Sequence, residues 1–377
     1  MANTLTNLIP DTYAALDVVS REITGFIPSV LRDSKADQVS VNQTLRIPIT
    51  PTATVSDITP AMSIPAAVDQ TVTNATLTIT KQREAKFSWS GVQQRDIDTG
   101  VGYASLKQMQ IAQAIRALVN EIEVDLATVA LANASRAYGT AGTTPFGTAA
   151  DYTAASNLHR ILADNGAPMS DKQLVISTAS GANLRGKQAT SQIAFNDSLL
   201  LQGVLTDING FKVRESAGLG GAVTAGTGAS YLLNGALAVG ATTVTVDTGS
   251  GTILAGDIVT IGAHNYVVKT ALSGGIFTIN APGIFVAAAD NLAITVIASR
   301  NSAGVAFDRS AILLATRIPD APAEGDLAVM SEVVTDPRTG LSFEVRVYPG
   351  NRMVTYSIAA CWGVAAIKPA HSALLIG

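Results

Sequence analysis

The stretch "GANLRGKQ", from Gly181 to Gln188, follows the apolar run "QLVIST" and fits the phosphate-binding pattern G-x-x-x-x-G-K-[ST] at seven of its eight positions. In such a loop, backbone amides and the lysine hold phosphates while the last hydroxyl holds magnesium. Gln188 stands where that hydroxyl belongs, and its amide cannot readily take over as a magnesium ligand. A nucleotide-driven reaction also needs an acidic partner for the metal, ideally at the end of an apolar strand. The run "SAILLATR" ends in Arg317 instead. The simpler reading is a glycine-bounded helix start in which Leu184 packs while Arg185 and Lys187 meet solvent.

The remaining groups capable of chemistry are scattered. His159, His264 and His371 lie far apart, and none sits in a metal-binding spacing such as H-E-x-x-H, so each reads as a surface or partner-facing histidine. "RDIDTG", Arg95 to Gly100, begins like a calcium loop, but the twelfth position counted from Asp96 is Lys107, where a bidentate glutamate is required. Glu121, Glu123 and Asp125 form a charge run that reads as a solvated helix face rather than an acid–base pair. Asn42, Asn74 and Asn133 open N-x-[ST] triplets, which carry meaning only in a secreted chain. The lone cysteine, Cys361, excludes an internal disulfide framework and a cysteine-rich zinc site, and reads as a small buried apolar residue. There is no G-x-S-x-G elbow, no known Cys-His signature, and no G-x-G-x-x-G after a strand. We expect no catalytic, cofactor-binding or metal site.

The elements around these residues are those of a large, β-rich chain. With 377 residues, 47% hydrophobic and 14% charged, it can bury a large core. The apolar excess comes from Ala, Val, Ile and Leu, diluted by Thr, Ser and Gly in alternating runs, which suits β structure or a surface that expects neighbours. A net charge of −4 offers no basic field for wrapping nucleic acid, so contact with DNA should be weak and indirect. No apolar run reaches the roughly 18 residues that span a bilayer, and the start shows no signal peptide, so the chain is expected to stay in the compartment where it is made.

Residues 1–38 mix short helical pieces with polar breaks and read as an arm that packs on something else. Val41, Leu45, Ile47 and Ile49 alternate, as do Val72, Leu77 and Ile79 and then Phe87 and Trp89, predicting a long two-stranded excursion over residues 39–90. Such a ribbon is marginal in water by itself, so its stability must come from another surface, such as that of a second copy of the chain. Ile111, Ile115, Leu118, Ile122, Leu126 and Val129 recur every three or four residues. They predict one amphipathic helix over 105–138, within a unit at 91–150, stopped by Gly139. Residues 151–221 read as a helix, a turn, a buried strand at Leu174 to Ser177, and a second helix. Residues 222–298 carry Lys269, Asp247, Asp257 and Asp290 as their only charges among short β runs and glycine turns, predicting an inserted β-barrel or β-sandwich. Residues 299–377 are β-rich, with "LAVMSEVVTDP" and "LSFEVRVYPG" forming a hairpin across "DPRTG".

Taken together, "ILADNGAPMSDKQLVISTASGANLRG", "VAFDRSAILLATR" and "TDPRTGLSFEVRVYPGN", in this order with an insertion between the first two, resemble the major capsid (coat) proteins of tailed bacteriophages, specifically the kind with an extra inserted β domain. The layout is similar over nearly the whole chain. The resemblance implies an α+β, Hong Kong 97-like capsid fold. In it 1–38 would be the N-terminal arm, 39–90 the extended β-loop over a neighbouring subunit, and 105–138 the spine helix of the peripheral domain. Segments 151–221 and 299–377 would share the axial and peripheral domains, and 222–298 would be the inserted domain. "GANLRGKQ" then looks like the helix start after that family's "LVIS" strand. In some members a Lys and an Asn cross-link subunits. Lys81, Lys86 and Lys107 lie in or near the loop, but position selects none of them, and they read as solvated or ion-paired.

The function so implied is structural: a subunit of the icosahedral head shell that encloses double-stranded DNA with weak, non-specific contact and has no enzymatic activity or cofactor. The implied partners are further copies of the chain in hexamers and pentamers, a scaffolding protein, the portal and a decoration protein. The implied location is the virion, after assembly in the bacterial host cytoplasm. Two rivals make different predictions. A β-rich surface-layer or adhesin-like protein would carry a secretion signal, and a nucleotide-binding enzyme using Gly181 to Gln188 would bind Mg-ATP and lose it in Lys187→Ala.

Overall fold

The computed structural model describes residues 24–33, 44–49, 55, 57–58, 60, 62, 72–98, 103–148, 151–190, 205, 207–322, 325–336 and 339–377. Most of the expected arm and the middle of the expected loop therefore lie outside the described residues. In chain order the first half forms β1 (Leu31–Asp33), β2 (Thr44–Ile49), β3 (Thr73–Thr78), β4 (Lys81–Ser90), α1 (Gly91–Asp98), α2 (Tyr103–Ala132), β5 (Arg136–Gly139), α3 (Thr153–Asp164), β6 (Lys172–Ile176), α4 (Thr178–Thr190) and β7 (Phe211–Glu215).

The helix α2 organises the molecule. Its 30 residues span about 45 Å at about 1.5 Å per residue. The apolar stripe read from the sequence is its buried face, with Ile115, Leu118, Ile122 and Leu126 all under one-tenth exposed and packed in the largest core cluster. The helix ends at Ala132, not near Tyr138 as expected. Asn133 folds its side chain back onto the Val129 carbonyl, and Ser135 donates from both its amide and its hydroxyl to the Ser372 carbonyl. The segment "RAYG" then becomes the strand β5. Gly139 serves that strand rather than a helix stop: at φ +127° it touches Ile376, and a Cβ there would meet the Ile376 carbonyl oxygen at 2.4 Å.

Beyond β7 come β8 (Ala222–Val223), β9 (Tyr231–Leu233), β10 (Thr243–Asp247), β11 (Ile258–Ile261), β12 (His264–Ser273), β13 (Ile276–Ile279) and β14 (Ala293–Val296). The strands β9, β10, β13, β12, β11 and β14 pair antiparallel in that ring order, and β14 returns to β9, so they close a six-stranded barrel. Closure removes free edges. Inside, Leu233, Val244, Val259, Phe277 and Ile279 form a core separate from that of α2. The barrel is joined to the body through β12, which pairs with β5 at Tyr266↔Arg136.

The C-terminal part comprises β15 (Arg300–Asp308), β16 (Ile312–Arg317), β17 (Met330–Thr335), β18 (Ser342–Gly350), β19 (Met353–Ala366) and β20 (Ser372–Ile376). The central strand β15 lies between β6 and β20, and β20 runs parallel to β5. Both faces of this layer are covered, by α2 on one side and α3 on the other, which explains the unbroken burial of β6 and β20. A second sheet is built on β19, which pairs with β4, β16 and β18. The expected hairpin across "DPRTG" pairs Met330↔Val347 through Thr335↔Ser342. Phe87 and Trp89, read from the sequence as continuing the ribbon, belong to β4 in this second sheet, and only β2 and β3 form the two-stranded ribbon.

Candidate assembly surfaces and their internal anchors

A buried carboxylate of α2 fixes the described segment around Gly25 to Ile27. Glu123 projects from α2 and is 2% exposed, contrary to its reading as part of a solvated face. Its Oε1 accepts from the amides of Gly25 (2.6 Å) and Phe26 (2.8 Å) and from the Ser216 hydroxyl (2.6 Å), while Oε2 accepts from the Ile27 amide (3.1 Å). Burial pushes its carboxyl above the ordinary value, against the pull of these four donors. The same segment is held from the far side by Arg309, donating to the Pro28 carbonyl (2.6 Å), and by Arg214, donating to Ser29 Oγ (3.1 Å). Phe26 stacks on Phe307 at 6.0 Å, and Phe26 and Ile27 are wholly buried. Residues 25–27, 29 and 30 are thus embedded in the core.

The outer members of the acidic run do a different job. Asp125 accepts from Lys81 (2.8 Å) and from the Trp362 indole (2.8 Å), and Glu121 accepts from Lys81 (3.1 Å) and Arg83 (3.1 Å). These contacts clamp β4 and β19 onto α2. They also raise the Lys81 ammonium above its ordinary value, chiefly through the hydrogen bond to Asp125. Lys86 pairs with Glu84 (2.5 Å), and Lys107 lies 5.8 Å over the Tyr356 ring. All three lysines therefore have local partners.

The base of the ribbon is seated on the body. Leu45 and Ile47 of β2 pack with Leu77, Ile79, Leu313 and Cys361, so part of the support comes from the chain's own second sheet. The ribbon strand crosses β19 at Gly363, where a Cβ would meet the Thr78 carbonyl oxygen at 2.2 Å. Between β2 and β3 in the chain, Val55, Ile58 and Met62 are 97% exposed or more. A second exposed apolar group, Leu327, Val329, Met330 and Val333, lies on and before the edge strand β17. Apolar side chains held in solvent between β2 and β3 in the chain and on a sheet edge are a mark of protein–protein contact.

The near-match phosphate loop is not a loop. Gly181 lies in the first turns of α4, whose start is bonded through Ser177: the Ser177 hydroxyl accepts from the Ser180 amide (3.3 Å) and its carbonyl from the Gly181 amide (2.9 Å). Glu215 packs against Gly181 and pairs with Arg185, so a carboxylate occupies the space beside this glycine. Arg185 is thus ion-paired rather than solvated, while Leu184 is buried as expected. The side chains of Lys187 and Gln188 lie outside the described residues. The calcium-like segment starts inside α1, and no group of three or more His, Cys, Asp or Glu among the described residues is placed to hold a metal. His159 meets Phe211 edge-on at 6.1 Å, His264 meets Phe285 edge-on at 5.3 Å, and His371 sits in the turn before β20, so the three remain apart. Burial lowers all three imidazoles from their ordinary value. Cys361 is buried, and burial raises its thiol. Asn74 lies on β3, Asn133 closes α2, and Asn42 lies outside the described residues.

Sequence reasoning missed Asn280. Its side-chain amide donates to the carbonyls of Ala132 and Ala134, both at 2.9 Å, so a barrel residue caps the end of the long helix. No local signal marks it, since the partners are separated by 146 and 148 positions. Among the described residues no helix is long and apolar enough to cross a membrane.

No protein-family model and no curated protein matches the chain. Solved structures do. One from Mycobacterium phage Che8 aligns at 14% identity and a TM-score of 0.52, covering 99% of this chain and 98% of that one. The capsid structure of the cyanophage P-SCSP1u aligns at 12% identity and 0.52, covering 100% and 96%. The capsid of a native GTA particle aligns at 11% identity and 0.51, covering 98% and 95%. Over nearly its whole length this chain has the α+β, Hong Kong 97-like fold of these capsid structures.

Proposed function

We propose that this chain is the major capsid protein of a tailed bacteriophage, a structural subunit that assembles with copies of itself into an icosahedral shell around double-stranded DNA. The observation that carries the reading is the end-to-end likeness to two capsid structures, in which 100% and 98% of this chain align with 96% and 95% of theirs. In this reading residues 1–38 are the arm, 39–90 the extended loop with its returning strand β4 docked in the second sheet, 91–150 the spine-bearing part of the peripheral domain, and 222–298 the inserted domain. The flanking segments 151–221 and 299–377 make up the axial and remaining peripheral parts. The exposed apolar residues between β2 and β3 and of β17 supply the contacts, and closure of the shell turns many modest interfaces into a durable one. Hexamers and pentamers of the chain are the working units, with a scaffolding protein, the portal and a decoration protein as further partners. Assembly takes place in the bacterial host cytoplasm, and the virion is the final location. The role is not catalytic.

Light scattering and negative-stain electron microscopy on the protein expressed alone, and with its candidate scaffold, test this directly. Closed shells or discrete five- and six-fold capsomers are expected. A strictly monodisperse monomer under both conditions would overturn the assignment.

A further inference from the structure

A cleft of about 270 Å³ opens where the barrel meets the body, lined by residues 136–140, 160–161 and 263–265. Three cationic or titratable side chains converge on it from three elements. Arg136 of β5 is 3% exposed in its side chain and lies 4.2 Å over the Phe285 ring. Its Nη2 donates to Asn165 Oδ1 (3.0 Å), the Ile161 carbonyl (3.3 Å) and Asp164 Oδ2 (3.4 Å), while its Nε has no partner. His264 of β12 approaches the same Phe285 ring edge-on at 5.3 Å. Arg160 of α3 is exposed, and neither it nor the His264 ring makes a side-chain hydrogen bond or ion pair among the described residues. Both arginines line the cleft, and Arg136 has Asp164 as its carboxylate partner. After the cost of burial, the two arginines are what hold the His264 imidazole below its ordinary value, with Asp164 opposing them.

We propose that this cleft binds a small oxyanion of the phosphate class, held between Arg136, Arg160 and His264, and that the bound anion clamps the barrel to the body. A compact tetrahedral dianion carries several acceptor oxygens, enough to meet donors arriving from three directions, and guanidiniums prefer such acceptors. The excess positive charge repels cations. The polar donors lie on both sides of the barrel junction, with His264 on the barrel and Arg136 and Arg160 on the body, so occupancy ties the two together.

The site goes beyond the shell-forming role and does not depend on it, because the probe is the purified full chain in whatever assembly state it takes. Sulfate is the first probe, since it stays doubly charged between about pH 5 and 8, and inorganic phosphate is the second. Isothermal titration at constant ionic strength should give saturable binding of both, with a rise in melting temperature over chloride. Arg160→Ala, at an exposed position, should weaken binding by about ten-fold or more, the loss expected for one charge-assisted contact. His264→Gln should remove the fall in sulfate affinity between pH 5 and 8 that deprotonation of this imidazole produces, with Arg136, Arg160, Asp164 and Tyr266 as the other charged or titratable groups around it. A short phosphodiester dinucleotide forms the last arm, separating a free dianion from nucleic acid backbone. Non-saturable binding, an unchanged affinity in Arg160→Ala, or a diester bound more tightly than sulfate would each overturn the proposal.

Discussion

Glu123 illustrates how one side chain can decide the course of a segment a hundred positions away. Three consecutive amides and a hydroxyl converge on its carboxylate, and among the described residues no other acceptor serves them. Replacing it with glutamine leaves one oxygen for those donors and turns an NH₂ group toward them, a loss of about 2–3 kcal/mol. The pH dependence has a definite sign. Burial raises the carboxyl above 4.5, so the native state holds the proton more tightly than the unfolded chain does. The contribution of Glu123 to stability is therefore largest below 4.5 and declines as pH rises from there toward the folded value. Since glutamine does not titrate, the gap in unfolding free energy between wild type and Glu123→Gln should narrow as pH rises through that window. Urea melts at several pH values measure it, and a widening gap would mean that the four donors outweigh burial.

At the scale of elements, long-range contacts decide where each one begins, ends and docks. The C-terminus of α2 is set by Asn280 from the barrel, so Asn280→Ala should cost about 1–3 kcal/mol by leaving two carbonyls unmet. Asn280→Asp should cost more, because it adds a negative charge at the negative end of the helix dipole. Equal losses in chemical denaturation would show that capping is not the role of this residue. The ribbon depends in the same way on Gly363. A valine there would drive its Cβ into the Thr78 backbone, which cannot swing aside as a side chain tip can. Gly363→Val should unseat the ribbon base, read as faster amide exchange at Leu77 and Ile79. Unchanged protection at these two residues would rule out the crossing as a constraint.

At the scale of the whole molecule, the proposed shell-forming role requires surfaces that serve assembly rather than folding. Val55 and Ile58 are 97% and 98% exposed, so changing both to aspartate should leave the melting temperature of the unassembled chain within the range of neutral surface changes, about 0.5 kcal/mol. The same double variant should fail to form shells in sedimentation and electron microscopy. Normal shells from it would remove the segment between β2 and β3 from the list of contacts. The β17 edge, with Met330 and Val333 half exposed, would then be the next surface to alter.

Periodicity and composition carried the large elements. The stripe from Ile111 to Val129 announced the long helix, the fall in charge after Ala222 announced the short strands that close into the barrel, and "DPRTG" announced its hairpin, because each depends on neighbours in the chain. The order of the "LVIS", "VAFDRSAILLATR" and "TDPRTG" segments suggested the capsid fold. Tertiary structure alone decided the rest. "ANASRAYG" keeps a helical texture, yet β20 and Asn280 compete for its backbone and convert it to a strand. Glu123 has the same acidic neighbours as any solvated run, and only the packing of residues 24–30 against α2 removes it from water. Arg136, Arg160 and His264 are separated in sequence and line one cleft only because β12 of the barrel pairs with β5 beside α3. Local spacing encodes what a segment can become, while burial and pairing at long range decide which of its side chains meet.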